Sequence, residues 1–467
     1  MSRFRLLSFN YKPLLPIPNG SVIRFLRRPA LIWKLGLLLL LCTSFLLVTS
    51  GTSIRFDRPN VLILILDAAR PDHLGFYGYK RPTTPEIDRI CKDSLVFTNA
   101  STVAPYTLAS TASLFTSLYA DTHSVVDPEN RLSEKIPTMA EAFRKVGYQT
   151  VMVANNPFFT PTFGLDRGFD THVEEESYGT NRAETVTNRV VAELDKVKGV
   201  FFCYVHYLRP HDPYDSPPDI HAAFDRSRKP RSYDLGGMDQ GAVPIVSDEV
   251  NDIIDDYDAG LRTVDREVRR IFQYLRSSGR LKNTIVAILS DHGEAFGEHG
   301  RMLHSSTVHE EMIRIPMILY YSVAVKAGKN ENLAQNVDIF PTLADLAKIP
   351  LPDFVQGQSL LGKAREYSFS RTNGYTPVFS VSSRDSKLIR DSQKKSAQFY
   401  DLKKDPLEKA PLRRSGVSGE NAAQFHELES VFARWIESCA ANHQGSTKLR
   451  NLHQDLLSRL KSVGYLQ

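Results

Sequence analysis

Two acidic positions stand directly behind hydrophobic runs in this sequence, and both suit metal chemistry. Asp67 follows the run at 61–66, and Asp291 with His292 follows the run at 284–289. Carboxylate oxygens and an imidazole that converge on one point suit a divalent cation. The oxygen-rich set favours Ca²⁺, Mg²⁺ or Mn²⁺, and the imidazole also admits Zn²⁺. A lone aspartate after a strand is more often a helix cap, but two such strand ends near a hydroxyl favour a metal site.

The hydroxyl is that of Thr107. Leu108, Leu114 and Phe115 belong to a helical stripe, which places Thr107 near the N-terminus of a helix. The exposed N–H groups and dipole there favour an anion, which suits both an alkoxide nucleophile and a negatively charged ester. A bound metal would lower the hydroxyl pKa further. Taken alone, Thr107 reads as an N-cap, so the nucleophile hypothesis depends on the metal residues nearby.

Four short apolar runs alternate with amphipathic helical patterns, which predicts an α/β fold with a mostly parallel sheet sandwiched by helices. The runs lie at 61–66, 150–153, 200–205 and 284–289. The polar residues that follow them are Asp67, then Asn155 and Asn156, then His206 and His211, and then Asp291 and His292. Because ligands bind outside the carboxyl ends of strands in open α/β sheets, these four ends predict one site.

Helical and strand patterns divide the body in two. Apolar spacing predicts a long helix over 250–275 and a short one over 139–146. Beyond 350 the pattern changes to strand-like pieces at 367–370, 378–381, 387–390 and 398–400, followed by helical stretches at 425–436 and 449–463. We therefore predict a main catalytic domain at 58–350 and a C-terminal subdomain at 351–467 with a small antiparallel sheet and a helical hairpin.

The front of the chain predicts a membrane anchor. Residues 1–34 carry seven Lys and Arg and no acid, whereas the remainder holds 51 basic and 53 acidic residues. The near-neutral body argues against a nucleic-acid partner. The apolar stretch 31–51 reads as one transmembrane helix and 1–30 as a basic cytoplasmic arm, which puts the catalytic domain on the extracytoplasmic side. A cleaved signal peptide is the alternative.

Beyond these patterns, the chain resembles the sulfatase family of the alkaline phosphatase superfamily over about 59–412. The motifs are NVLILILD at 60–67, LGFYGY at 74–79, the segment 107–119, YVHY at 204–207 with PHDPY at 210–214, DHGE at 291–294 with GEHG at 297–300, IRIP at 313–316, DIFPT at 338–342, and FYDL at 399–402 with DPLE at 405–408. Any one motif is weak, but their number and order are typical of this family.

The resemblance implies a role for individual residues. Asp67, Asp291 and His292 would hold the metal ion. Thr107 would be both a ligand and the nucleophile. His211 and His304 would face the scissile group as catalytic residues, and Asn156 and Arg70 would contact the substrate. The spacing from Asp291 to His304 also resembles the motif of phosphoethanolamine transferases.

Two departures qualify the resemblance. Sulfatases that form formylglycine carry Cys-x-Pro-Ser-Arg, or a Ser version of it, where this chain has Thr107-Leu108-Ala109-Ser110-Thr111. We therefore expect no formylglycine. Ala68 stands where sulfatases often present a second aspartate, which weakens the case for a calcium site with oxygen ligands alone.

The predicted function is that of a membrane-anchored, metal-dependent hydrolase that cleaves sulfate or phosphate/phosphonate esters through a threonine nucleophile. Its partners would be a sulfated or phosphorylated glycan, lipid or small-molecule ester, and the membrane. The alternatives are a transferase of phosphoethanolamine, sulfo or phospho groups, and an inactive anion-binding protein that keeps the fold. A single span favours the hydrolase, because the lipid transferases have several-span anchors.

Overall fold

The computed structural model describes residues 58–175, 182–225, 233–413, 416–449, 452–463 and 465. The arm predicted at 1–30 and the transmembrane helix predicted at 31–51 lie outside these ranges. Among the helices within them, none combines the length and the apolar character needed to cross a bilayer.

A mostly parallel sheet carries the site. The strands up to residue 335 are β1 (Asn60–Leu66), β2 (Leu95–Ser101), β3 (Asn130–Leu132), β4 (Gln149–Ala154), β5 (Thr171–Glu174), β6 (Phe201–Tyr207), β7 (Thr284–Leu289), β8 (Ala295–Phe296), β9 (Met302–Leu303), β10 (Met317–Tyr320) and β11 (Gly328–Gln335). Eight of these described strands form the sheet in the order β11-β2-β10-β7-β1-β6-β4-β5. Strand β10 is antiparallel to both neighbours, and the other described pairings are parallel.

The central strands are continuous apolar runs because both of their faces are covered. Every residue of β1, β6 and β7 is buried. Along β1, Val61, Ile63 and Ile65 enter one hydrophobic cluster, whereas Leu62, Leu64 and Leu66 enter another on the opposite face. The four runs predicted from the sequence are the strands β1, β4, β6 and β7, with small differences at their ends.

Helices cover the two faces of the sheet. They are α1 (Pro85–Cys91), α2 (Thr107–Thr116), α3 (Ala120–His123), α4 (Met139–Lys145), α5 (Arg182–Lys196), α6 (Pro218–Phe224), α7 (Leu235–Asp239), α8 (Ser247–Ser277), α9 (Glu310–Ile313), α10 (Ile339–Ala347), α11 (Gly419–Ala441) and α12 (Gln454–Ser462). Helices α1, α5 and α8 pack on one face, and α2, α4 and α10 pack on the other. The predicted sandwich is therefore confirmed.

The C-terminal part is a second, antiparallel sheet with helices. Its strands are β12 (Ser368–Arg371), β13 (Val378–Ser382), β14 (Ser386–Asp391), β15 (Ser396–Asp401) and β16 (Leu412–Arg413). Instead of a direct helical hairpin, a short strand β17 (Ser446–Lys448) lies between α11 and α12 and pairs with β3. That pairing ties the C-terminal part back to the main body, and one hydrophobic cluster contains side chains of both.

Candidate active site

Four neighbouring strands deliver polar groups to one edge of the sheet. Strands β7, β1, β6 and β4 are adjacent in that order. Asp67 follows β1, His206 lies near the end of β6, Asn156 follows β4, and Asp291 with His292 follows β7. The predicted convergence of strand ends on one site is therefore found in the structure.

The centre of this site fits a divalent cation. Asp67 Oδ1 and Asp291 Oδ2 are buried and have no hydrogen-bond partner. His292 Nε2 lies 3.5 Å from Asp67 Oδ1 and 3.6 Å from Asp291 Oδ2. Buried carboxylate oxygens without partners are costly unless a positive charge compensates them. A metal ion bound between these two oxygens and the imidazole nitrogen would supply that positive charge.

The other oxygen of Asp67 is held in place by neighbouring donors. Asp67 Oδ2 accepts hydrogen bonds from Asn156 Nδ2 and from His206 Nε2, both at 2.9 Å. The hydroxyl of Tyr204 lies 3.0 Å from His206 Nδ1 and donates to it when Nε2 carries the proton. This chain of hydrogen bonds orients the carboxylate, so that Oδ1 points to the metal position.

The loop after β7 fixes Asp291 and His292 in the same way. Asp291 Oδ1 accepts from the backbone N–H groups of Ala68 at 3.2 Å and His292 at 3.0 Å. His292 Nδ1 donates to the carbonyl oxygen of Gly293 at 2.9 Å, which leaves the lone pair on Nε2. Both residues therefore present their free ligand atoms to the centre.

Without a cation, protons balance the charge at the centre. Burial raises the pKa of Asp67 well above its usual value, and the neighbouring Asp291 raises it further. Burial opposes ionisation of Asp291 too, but the imidazoles of His292 and His206 outweigh it and lower its pKa. Burial disfavours the His292 imidazolium, yet the carboxylates of Asp291 and Asp67 raise its pKa overall. A cation would replace the protons that this cluster otherwise holds.

Thr107 lies inside this cluster. It is the first residue of α2, its side chain is fully buried, and its hydroxyl oxygen is 3.0 Å from His292 Nε2. The N-cap of α2 is Tyr106 rather than Thr107, so the hydroxyl of Thr107 is free for the cluster. Ser110 Oγ donates to the carbonyl oxygen of Asp291 at 2.7 Å and thereby fastens α2 to the β7 loop.

His211 and His304 border the cluster. The His304 ring stacks on His292 with 4.2 Å between centroids, and the His211 ring lies 4.8 Å from that of His304. Burial, with a contribution from His304, lowers the pKa of His211 to about 3, and burial also lowers that of His304. His211 Nδ1 donates to the carbonyl oxygen of Asp212, so the buried, partnerless Nε2 is an acceptor in the neutral ring.

The two residues predicted to bind substrate lie in different places. Asn156 is part of the cluster through Asp67. Arg70 is paired with Asp72 and Glu298 instead, and it lines a cavity of about 840 Å³ rather than contacting Thr107. A substrate contact for Arg70 stays a prediction.

Three residues of the site had no predicted role. His206 was visible as a polar residue at a strand end, but its bond to Asp67 depends on strand adjacency. Tyr204 precedes it on the same strand. Tyr465, whose hydroxyl lies 3.0 Å from that of Thr107, is 358 positions away along the chain, and no sequence signal indicates it.

Comparisons with known proteins agree with this architecture. The family model described as Sulfatase matches residues 59–349, and the model described as N-sulphoglucosamine sulphohydrolase, C-terminal, matches 297–428. An arylsulfatase of Clostridium perfringens is 26% identical, over 84% of this chain and 97% of the relative. An N-acetylglucosamine-6-O-sulfatase of Bacteroides thetaiotaomicron is 22% identical, over 75% and 82%.

Solved structures share the fold. A protein in complex with its substrate D-glucosamine-2-N,6-O-disulfate superposes with a TM-score of 0.71 at 20% identity, over 83% of this chain and 99% of that one. The phosphonate monoester hydrolase of Agrobacterium radiobacter does so with a TM-score of 0.69 at 19% identity, over 85% and 99%.

Proposed function

The chain belongs to the sulfatase family, and from this premise we propose that it is a metal-dependent ester hydrolase whose nucleophile is Thr107. The family assignment agrees with the resemblance in the motifs. It supports a sulfatase-like hydrolase of the alkaline phosphatase superfamily that acts on sulfate or phosphonate esters. The observation that carries the proposal is the position of the Thr107 hydroxyl, 3.0 Å from His292 Nε2, beside the partnerless oxygens of Asp67 and Asp291.

Asp67, Asp291, His292 and Thr107 would hold the metal ion, which would lower the pKa of the threonine hydroxyl and offset charge on the ester oxygens. Members of the family generally bind a divalent metal, and the mixed oxygen and nitrogen set here admits Mn²⁺, Mg²⁺, Ca²⁺ or Zn²⁺. No formylglycine is required, because Thr107 itself supplies the oxygen.

The reaction proceeds in two steps. Thr107 Oγ1 forms a bond to sulfur or phosphorus while the bond to the leaving oxygen breaks, and a covalent ester on Thr107 results. His211 or His304 passes a proton to the leaving oxygen, and the buried, partnerless Nε2 of the neutral His211 ring is available to accept that proton. Water then displaces the threonine oxygen, which restores the hydroxyl and releases the inorganic anion.

The relatives support a proposal for the substrate class. Those relatives include an N-acetylglucosamine-6-O-sulfatase and an ulvan-active sulfatase, which favours sulfate esters of glycans as substrates here. The phosphonate monoester hydrolase among the structures keeps phosphonate esters as the second class. A phosphorylated glycan, a lipid ester and a small-molecule ester complete the range of the proposal.

Anchoring by residues 31–51, with the catalytic domain outside the cytoplasm, is part of the same proposal. Protease treatment of intact cells tests it, since an extracytoplasmic domain is cleaved without lysis. Protection until lysis would contradict it.

Replacement of the nucleophile is the first test. With Mn²⁺, turnover of a panel of aryl sulfates, glycan sulfates and phosphonate monoesters should fall about 1,000-fold or more in Thr107→Ala, because no other group provides the attacking oxygen. Thr107→Ser keeps a hydroxyl and should retain measurable turnover. Full activity of Thr107→Ala would exclude this nucleophile, and no turnover of any ester by the wild type would favour an inactive anion-binding protein.

A further inference from the structure

The hydroxyl of Tyr465 lies in the centre of the site. Its oxygen accepts a hydrogen bond from Asn156 Nδ2 at 2.6 Å, and it is 3.0 Å from the Thr107 hydroxyl and 3.2 Å from Asp67 Oδ2. The ring is buried against Phe158 and His211, with centroid distances of 4.6 and 5.0 Å. One side chain thus contacts the proposed nucleophile and a proposed metal ligand at once.

This position overlaps the space that an ester group needs. A reacting centre lies about 3–3.5 Å from its nucleophile before attack. The phenol oxygen of Tyr465 already occupies that distance from Thr107 Oγ1, and it uses the Asn156 amide N–H that also faces the centre. Thr107, Asp67 and His211 are fully buried in this arrangement. A sulfuryl or phosphoryl group that approached Thr107 Oγ1 from this side would therefore compete with the phenol.

We propose that Tyr465 is an internal plug of the active site, and that turnover requires α12 and Tyr465 to withdraw. The phenol occupies the subsite of the tetrahedral oxyanion group, so substrate and plug compete. This inference rests on the proposed function for the identity of the displacing group, a sulfate or phosphonate ester.

The element that carries the plug is a short helix with two buried side chains. Helix α12 has nine residues, and its buried side chains are Leu456 and Leu460. It packs on the short turn Pro157–Phe159, and Arg459 forms an ion pair with Glu174. The metal cluster, by contrast, projects from fully buried central strands. Segments with few buried apolar contacts open at a lower free energy than the sheet around which a fold is built.

Removal of the plug should increase affinity for an oxyanion. In the full chain loaded with Mn²⁺, we expect orthovanadate to bind Tyr465→Ala about tenfold more tightly than the wild type. In the wild type, the apparent affinity equals the intrinsic affinity multiplied by the fraction of molecules in which the site is open. KM for p-nitrophenyl sulfate should fall in parallel. Leu460→Ala, which loosens α12 without touching the site, should shift both in the same direction. Tyr375→Ala, at an exposed tyrosine, is the matched control and should change neither.

Several outcomes would overturn the plug. Unchanged vanadate affinity in folded Tyr465→Ala would mean that the phenol does not compete. A loss of kcat/KM in both Tyr465→Ala and Tyr465→Phe would make Tyr465 a catalytic residue. Absence of vanadate binding to every variant would mean that the cluster has no oxyanion subsite to close.

Hydrogen exchange of the wild type separates this inference from the proposed function. Vanadate with Mn²⁺ should accelerate amide exchange in 454–462 if the anion displaces the plug. Accelerated exchange without hydrolysis of any ester would support the plug and contradict the proposed hydrolase activity. Hydrolysis of esters with unchanged amide exchange in that helix would support the hydrolase activity and contradict the plug.

Discussion

At the residue scale, hydrogen bonds determine which side-chain atoms of the site remain free to bind a metal ion. Asp67 and Asp291 each direct one oxygen to protein donors and leave the other without a partner. This division was not visible in the sequence, which indicated only that strand ends would bring Asp67, Asp291 and His292 together. The polar residue after each strand was predictable. Which carboxylate oxygen stays free was not, because it depends on donors such as His206, which lies on a neighbouring strand.

Loss of one carboxylate should separate metal binding from folding. Asp291→Asn removes a ligand charge, so we expect the thermal stabilisation by Mn²⁺ to disappear, a loss of about 2.7 kcal/mol at a concentration 100 times the wild-type Kd. The metal-free variant should be somewhat less stable than the metal-free wild type, because the fold lowers the pKa of Asp291 and thereby stabilises its ionised form. Thermal unfolding with and without Mn²⁺ measures both. Asp345→Asn, at a half-exposed carboxylate, is the control, and equal stabilisation of both variants would contradict the ligand assignment.

The pH dependence of metal stabilisation follows from the same groups. The pKa values of Asp67 and His292 are raised in the metal-free fold, so their contribution to stability is present at low pH and is lost as pH rises through the folded values. Asp291 has a lowered pKa and is ionised in both states over this range, so it adds no slope. The rise in Tm caused by saturating Mn²⁺ should therefore grow between about pH 5 and about pH 8. A larger rise at pH 5 would be the contrary result.

At the element scale, the strands that hold the site were predictable and those at the sheet's other edge were not. Runs such as the one in β1 are continuous because helices bury both faces. Strand β2 is only partly buried and ends in Thr, Asn, Ala and Ser, so its pattern does not distinguish it from a loop. Its place beside the antiparallel strand β10 is a tertiary property. The loops that carry Asp67, Asp291 and His292 follow the predictable strands, which is why the candidate site could be found from the sequence.

The loop after β7 depends on a close backbone approach. A Cβ at Gly293 would lie 2.1 Å from the carbonyl oxygen of Glu311, whereas one at Gly199 would meet nothing within 4 Å. Gly293→Ala should therefore displace the Asp291–His292 turn, destabilise the fold by about 1–3 kcal/mol and weaken Mn²⁺ binding. Denaturant unfolding and metal titration measure the two effects. Gly199→Ala should be tolerated, and equal behaviour of the two variants would show that the approach is unimportant.

At the scale of the whole molecule, the C-terminal part is integrated with the main body. Trp435 of α11 stacks on Phe369 of β12 at 4.8 Å and meets Tyr119 edge-on at 5.4 Å. These three rings belong to the cluster that also contains side chains of the large sheet. The change of pattern near 350 in the sequence indicated a second unit, but it could not indicate that the two units share a core.

A shared core predicts one cooperative transition. Trp435→Ala should cost about 3–5 kcal/mol and lower the temperature at which both parts unfold, because its ring joins them. Circular dichroism and calorimetry should show a single transition for the wild type and the variant. Two separated transitions in the variant would indicate that the parts fold independently.

The contact between Tyr465 and Asp67 spans 398 positions of the chain. During translation, Asp67 and Thr107 leave the ribosome before Tyr465 is synthesised, so this contact forms only after residue 465 has been added. Such distant contacts are the slowest to close during folding. In the plug proposal, the centre therefore stays accessible to ions and esters until Tyr465 has reached it.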